Sequence, residues 1–255
     1  MQAWVPASRY KEAQKLHARA LEALTAASQA NLSLRSDHGT SLAELQRRQG
    51  NFEAAMQLLL QAQADCTDDV EQTCDALMQA AKVAYDTGDQ EAALQSMLSV
   101  QARFHKCSPD SKFRACHICE CLGWVYFHRQ DWQAALLWLE RGLAVFEESD
   151  IDGCQANLEV AIAYAGVAAM HLKLDTPSSP AADYQSRAEA CLAKVVCREG
   201  VQRAQYYLGV CKQLQGLGDL AHAKFEKALQ VQLALYDAAH PACVTFRDAA
   251  GVTGS

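Results

Sequence analysis

The stretch Leu122-Gly123-Trp124-Val125-Tyr126-Phe127-His128-Arg129-Gln130-Asp131-Trp132-Gln133-Ala134-Ala135 decides the fold. It opens as an apolar helical run with a small residue, Gly123, where another helix can come close. Gln130-Asp131 then breaks the run, and Trp132 starts a second amphipathic segment. Asp131 suits that start, because a carboxylate can accept from the exposed N–H groups of a first helical turn. Helix, tight turn and second helix are all present in this one segment.

The arrangement recurs. Gly50-Asn51-Phe52-Glu53-Ala54-Ala55 and Gly88-Asp89-Gln90-Glu91-Ala92-Ala93 place the same turn signal before a helix, with Asn51 or Asp89 as its expected cap. Upstream of each turn the preceding helix carries a small residue, Ala43 or Ala81. Leu208-Gly209, a turn at Gly216, and Ala221, Phe225 and Ala228-Leu229 make a further unit. Between them Ala165-Gly166 lies on a helix expected from Gln155 to Leu174. There Thr176-Pro177-Ser178-Ser179-Pro180 interrupts before a second helix from Tyr184 to Val196. The small positions 43, 81, 123, 166 and 209 lie 38, 42, 43 and 43 residues apart. A period of that size marks a stacked repeat architecture.

A step of 42 from Gly209 reaches Gly251, and the same step back from Ala55 reaches Ala13. The expected organisation is therefore a single solenoid over 1–255. It has a half repeat at 8–30, helix pairs at 36–65, 74–105, 116–148, 155–198 and 202–236, and the start of a further repeat at 241–255. Apolar surface on such end repeats is expected to be covered by self-association or by continuation of the array.

Leu122-Gly123, Tyr126, Asp131-Trp132 and Ala135 resemble the tetratricopeptide repeat. Ala228-Leu229 followed by His240-Pro241, with a spacing near 42, is similar to the longer repeat of kinesin light chains. The resemblance implies an all-α, right-handed superhelical solenoid of antiparallel helix pairs. It also implies a protein-interaction scaffold or adaptor, in which the first helix of each pair lines a groove for an extended or helical partner segment. By that register the protein-binding positions are Glu44, Met78, Lys82, Tyr85, His117, Glu120, Trp124, Phe127, His128, Val167, Met170, His171, Arg203 and Tyr206. Trp124 and Phe127 are the expected anchors, and their aromatic character favours a partner with hydrophobic anchors. The competing reading packs these rings against the adjacent first helix. Some family members grip a terminal carboxylate with paired Lys and Asn. The matching positions here are Thr40, Glu44, Lys82 and Trp124, so that clamp is not expected.

Composition agrees with helices and narrows the partners. The chain has 255 residues, is half hydrophobic, and holds only five prolines. Its 23 basic and 30 acidic residues give a net charge of −7, with no basic stripe for a nucleic-acid backbone. No apolar run is long enough to span a bilayer, and the first residues lack a secretory signal pattern. A cytoplasmic protein is expected, with no cofactor, no membrane partner and no nucleic acid.

Eleven cysteines fall mostly inside helical patterns, which reads as reduced, buried thiols. Cys116-His117-Ile118-Cys119-Glu120-Cys121 invites an alternative, a metal- or redox-responsive module using Cys116, Cys119 and Cys121. Helical spacing puts Cys116 and Cys119 on one face and Cys121 on another, so a structural role is the stronger expectation and no metal site is assigned. His128 and His171 occupy equivalent places on consecutive first helices, where partner contact is a better reading than metal binding. No phosphate loop, nucleophile elbow or zinc-protease motif is present, so no catalytic residue is expected.

Overall fold

A computed structural model describes residues 12, 15–16, 18–20, 22–23, 32–66, 69–107, 112–147, 154–175, 180–195 and 200–252. The expected half repeat at 8–30 and the Thr176–Ser179 interruption lie largely outside these residues. Five helix pairs follow in order. They are α1 (Leu32–Arg48) with α2 (Phe52–Asp65), α3 (Val70–Asp86) with α4 (Gln90–Cys107), and α5 (Lys112–His128) with α6 (Trp132–Glu147). The series continues with α7 (Cys154–Lys173) and α8 (Ala181–Leu192), then α9 (Val201–Leu214) and α10 (Gly218–Leu233). A short 3-10 turn, Pro241–Cys243, leads into α11 (Val244–Ala249). There is no strand among the described residues. The chain is an all-α solenoid of packed helix pairs. Chain contacts divide it into two compact units, 1–109 and 110–255.

The turns share one hydrogen-bond pattern. Gly50 N donates to Arg47 O and Asn51 N to Gln46 O, and the same pair of bonds recurs at Gly88/Asp89, Gln130/Asp131, Gly216/Leu217 and Gly251/Val252. This is the Schellman closure, which needs a left-handed residue at the turn. Glycine fills that place at 50, 88, 216 and 251, whereas Gln130 adopts it with φ 61°. After the turn, Asp89 Oδ1 accepts from Ala92 N at 2.9 Å and Asp131 Oδ1 from Ala134 N at 3.0 Å. Asn51 does not cap its helix as expected, because its amide donates instead to Gln46 Oε1 at 2.8 Å. The second helix of the fourth pair also lies earlier in the chain than the expected span from Tyr184 to Val196. It starts at Ala181 behind Pro180 and ends at Leu192, where Lys194 N donates to Cys191 O and Val195 N to Leu192 O, tightening the chain out of the helix.

In the N-terminal unit the core is Ala43, Ala55, Leu59, Ala62, Ala76, Ala80 and Val83. Small residues bring the helices close, and ion pairs tie their ends. Arg35 of α1 pairs with Asp65 of α2, and buried Arg47 of α1 pairs with Asp86 of α3.

In the C-terminal unit the small positions are tighter. A Cβ on Gly123 would lie 2.6 Å from Leu139 Cγ, and one on Gly166 would lie 2.7 Å from Leu139 Cδ1. The side chain of Leu139, from α6, therefore fills space that only glycine leaves on α5 and α7. On α9, a Cβ at Gly209 would lie 2.5 Å from the Phe225 ring of α10. Residues 161–170 of α7 are buried all round, which their Ala- and Gly-rich sequence permits.

Gly209→Ala is expected to cost about 1–3 kcal/mol, because the rigid Phe225 ring cannot yield without repacking. Urea denaturation should show a lower midpoint than for wild type.

Candidate functional site

In the N-terminal unit, α1 and α3 pack side by side and leave an open groove of about 480 Å³. Asp37, Thr40, Ser41, Glu44 and Leu45 line it from α1, and Gln72, Asp75 and Gln79 line it from α3. These numbers follow i, i+3, i+4, i+7 spacing, so each helix offers one continuous stripe. The Gln72 amide donates to Asp37 Oδ1 at 3.1 Å and to Ser33 Oγ at 2.6 Å, tying the two stripes together at one end. At the other end Glu44 accepts from Arg47 Nε at 2.8 Å, Arg47 Nη2 at 2.9 Å and Arg48 Nε at 2.6 Å. Burial by itself would raise the Glu44 carboxyl. The hydrogen bonds and charge of Arg47, with Lys82 and Arg48, outweigh burial and hold it at about 2. Glu44 is thus an ionised, fixed wall of the groove. Met78, Lys82 and Tyr85, also expected at a docking face, are half-buried on α3.

The corresponding face of the C-terminal unit is filled. Trp124 and Phe127 are each only 6% exposed. The Trp124 ring lies 4.4 Å from His128, 5.5 Å from Tyr206, 5.4 Å from Tyr207 and 6.2 Å from Phe246. Phe127 lies 5.1 Å from Tyr207 and 5.4 Å from Trp132. This corrects the expectation that the two rings stand open to a partner. The physical reason is α7, which packs against both α5 and α9 and whose small side chains let the aromatics of those helices meet. Val167 and Met170 are fully buried in α7, and Glu120 is 2% exposed, so these three expected docking residues are interior as well. Arg203 and Tyr206 are half-buried at the margin of the cluster.

His128 and His171 have separate surroundings. His128 belongs to the aromatic cluster, and burial, helped by the charge of Arg203, pushes its imidazole down from 6.5 to about 4. His171 stacks on Tyr184 of α8 with centroids 6.0 Å apart, and its Nε2 lies 3.9 Å from Glu140 of α6. Each has different partners, so the two do not build a joint site.

The cysteines divide as helical spacing led one to expect, with Cys116 and Cys119 on one face and Cys121 on another. Cys116 is buried and donates to Gly142 O at 3.4 Å, while Cys119 packs against Gly142. Burial pushes their thiols up to about 12 and about 11. Cys121 does not join them. Its sulfur lies 3.7 Å from His117 Nε2, 3.6 Å from Glu120 Oε2 and 3.8 Å from Arg203 Nη1. Arg203 Nη1 donates to both Glu120 oxygens, at 2.7 and 2.6 Å. His117 Nδ1 lies 3.3 Å from the buried carboxylate of Glu159 on α7. Interaction with the Cys121 sulfur, and then with Glu159, pushes the His117 imidazole well above the usual range despite burial. Among the described residues, His117, Glu120 and Cys121 are the group whose metal-capable atoms lie within 4.8 Å of one another. Sequence reading missed Glu159, which lies far along the chain without a motif around it. It also missed most of the groove lining, although Thr40 and Glu44 stood at the family's clamp positions.

No family model matches the chain, and no curated protein sequence does. Solved structures do. The chain is similar to BtubC (BKLC) from P. vanneervenii, at 14% identity and a TM-score of 0.64, over 89% of this chain and 92% of that one. It is also similar to a putative kinesin light chain with nearly identical TPR-like repeats from Podosopora anserina. That match has 16% identity and a TM-score of 0.56, over 79% of this chain and 96% of the other. The fold is of the tetratricopeptide-repeat type. At these identities the likeness concerns the fold alone. Within this tetratricopeptide-type array, the first-helix face is open in one unit and occupied by the chain's own side chains in the other.

Trp124→Ala should cost about 3–5 kcal/mol by emptying the aromatic cluster. The loss would appear as early unfolding in a thermal melt followed by near-ultraviolet circular dichroism. For His128 the pH dependence has a definite sign. An imidazole whose folded value is depressed contributes stability that is complete above pH 6.5 and is lost as pH falls towards 4, about 3 kcal/mol in all. The stability difference between wild type and His128→Phe should shift by that amount, against wild type, between pH 7 and pH 4. A pH-independent difference in urea midpoints would contradict it.

Proposed function

We propose that the chain is a protein-interaction scaffold whose N-terminal unit takes an extended segment of a partner protein between α1 and α3. The observation that carries this reading is the open groove of about 480 Å³, whose lining stripes come from the first helices of two successive pairs. That volume is typical of binding clefts and large enough for several side chains. The fold supports the same general role, since tetratricopeptide-type neighbours support a protein-interaction scaffold.

The lining narrows the partner. Asp37 and Asp75 make the groove acidic, Glu44 being already paired with Arg47 and Arg48, and the hydroxyls and amides of Thr40, Ser41, Gln72 and Gln79 suit the backbone of an extended peptide. Leu45 provides the apolar contact from the lining, with Met78 on the same helix as Gln79. A segment carrying Lys or Arg beside one modest hydrophobic side chain fits these groups better than the strongly aromatic anchor-taker that the sequence implied. The acidic lining also disfavours nucleic acid. The role is that of a non-catalytic adaptor, without a cofactor. A reducing cytoplasm suits the eight described cysteines, all free thiols. No helix among the described residues is long and apolar enough to cross a membrane.

The test is a double substitution, Thr40→Arg with Gln79→Arg, which fills the groove and reverses its charge. Partners captured from cells by cross-linking to wild type should fall at least tenfold with this variant. They should persist with Leu60→Arg, on the exposed face of α2. Equal capture by all three proteins would refute docking in the groove.

A further inference from the structure

The cluster around Cys121 has no part in peptide docking, yet it is more elaborate than a structural thiol requires. Cys116, Cys119 and Cys211 are buried, and burial pushes their thiols up to about 12, 11 and 12. Cys66 and Cys191 are pushed up for the same reason. Cys121 is only half-buried, and its sulfur lies 3.6 Å from Glu120 Oε2, itself paired with Arg203, 3.7 Å from an imidazole nitrogen and 3.8 Å from a guanidinium nitrogen. Behind the imidazole stands the Glu159 carboxylate, 3.3 Å from Nδ1. His117 keeps 28% of its side chain exposed, so the imidazole beside the sulfur borders solvent.

Nucleophile, base and orienting carboxylate thus stand in a row, on α5, α5 and α7. The row follows from helical spacing and packing. Residues 117 and 121 are i and i+4 on one face, and α7 packs beside α5 and brings in Glu159. Such a series is the general arrangement by which a weak nucleophile is activated.

We propose that Cys121 is a reactive thiol served by His117, and that its chemical partners are small electrophiles of the hydroperoxide class. In the step, the sulfur, its proton held on His117, attacks the distal oxygen of a hydroperoxide. An S–O bond forms, the O–O bond breaks, and the His117 proton passes to the departing oxygen. The products are a Cys121 sulfenic acid and an alcohol, or water when the oxidant is hydrogen peroxide. Sulfur loses the two electrons that the peroxide gains. The positive charge of Arg203 lies where negative charge gathers on the sulfur and the entering oxygen. A divalent metal at His117, Glu120 and Cys121 is the competing use of these atoms. The Arg203 guanidinium already holds both Glu120 oxygens and faces the sulfur, so a metal would have to displace a charge-assisted pair.

The full chain, reduced and freed of metal, is treated with less than one equivalent of hydrogen peroxide. Sulfenic acid is trapped with dimedone and located by peptide mapping. Cys121 is expected to be trapped at least tenfold faster than in the same chain unfolded in urea, where its neighbours are gone. His117→Gln is expected to slow it at least tenfold while the far-ultraviolet spectrum stays unchanged. The urea comparison needs no variant, so the proposal remains testable if His117→Gln fails to fold. A Cys121 rate in the native chain equal to or below the unfolded rate overturns the proposal. So does an unchanged rate in folded His117→Gln. Stoichiometric Zn2+ uptake by wild type that is lost in Glu120→Gln also overturns it, and would assign the cluster to a metal.

Discussion

The structure rests on how closely its helices can approach, and that is set where a side chain is missing. Leu139 occupies the space that a Cβ would take on both Gly123 and Gly166. With one leucine seated between two glycines, α5, α6 and α7 interlock at a distance that larger residues would forbid. Interiors packed at crystal-like density do not absorb a misplaced methyl group cheaply. The Gly209–Phe225 contact repeats the device one pair later, with an aromatic ring as the filler.

The close approach has a consequence for function. Because residues 161–170 of α7 are mostly small and apolar, side chains from α5 and α9 reach each other. Trp124 meets Tyr206 and Tyr207, and Glu120 takes Arg203. Aromatic packing and a nearly buried ion pair therefore occupy a face that is open between α1 and α3. In the N-terminal unit the residues at the same register are Glu44 and Lys82 in place of Trp124, and Arg47 and Tyr85 in place of Phe127. There the first helices are tied at their ends by Arg47, Glu44, Asp86 and Gln72, which leaves the middle of the face open. The same repeat geometry thus gives two surfaces of different chemistry.

Much of the fold was legible because its signals are local. The turn residue, the capping Asp and the small position recur at similar intervals, 38 to 43 residues for the small position, and each acts within a few residues of itself. Even the exception at Asn51 is local, since its amide found Gln46 a few residues back. The site was legible only in part. Glu44 was placed at the docking face by register, and it lines the groove. Trp124 and Phe127 were placed there by the same register, and they are interior. Register gives the direction in which a side chain leaves its helix, but not whether another side chain is already waiting there. Glu159 approaches His117 from 42 positions along the chain and Arg203 approaches Cys121 from 82, and nothing in the residues around them announces it.

By itself the sequence determined that the chain is helical, where its helices turn, that they pair, and that the pairs repeat. Periodicity, turn chemistry and the loss of backbone freedom at each turn are properties of short segments, so they can be read from short segments. Only the tertiary structure decided which part of the repeated face is open, which is sealed by aromatic rings, and which cysteine has an imidazole beside it. Those outcomes depend on side chains from helices distant in sequence competing for the same volume. Exclusion from occupied space is settled only when the helices are packed together.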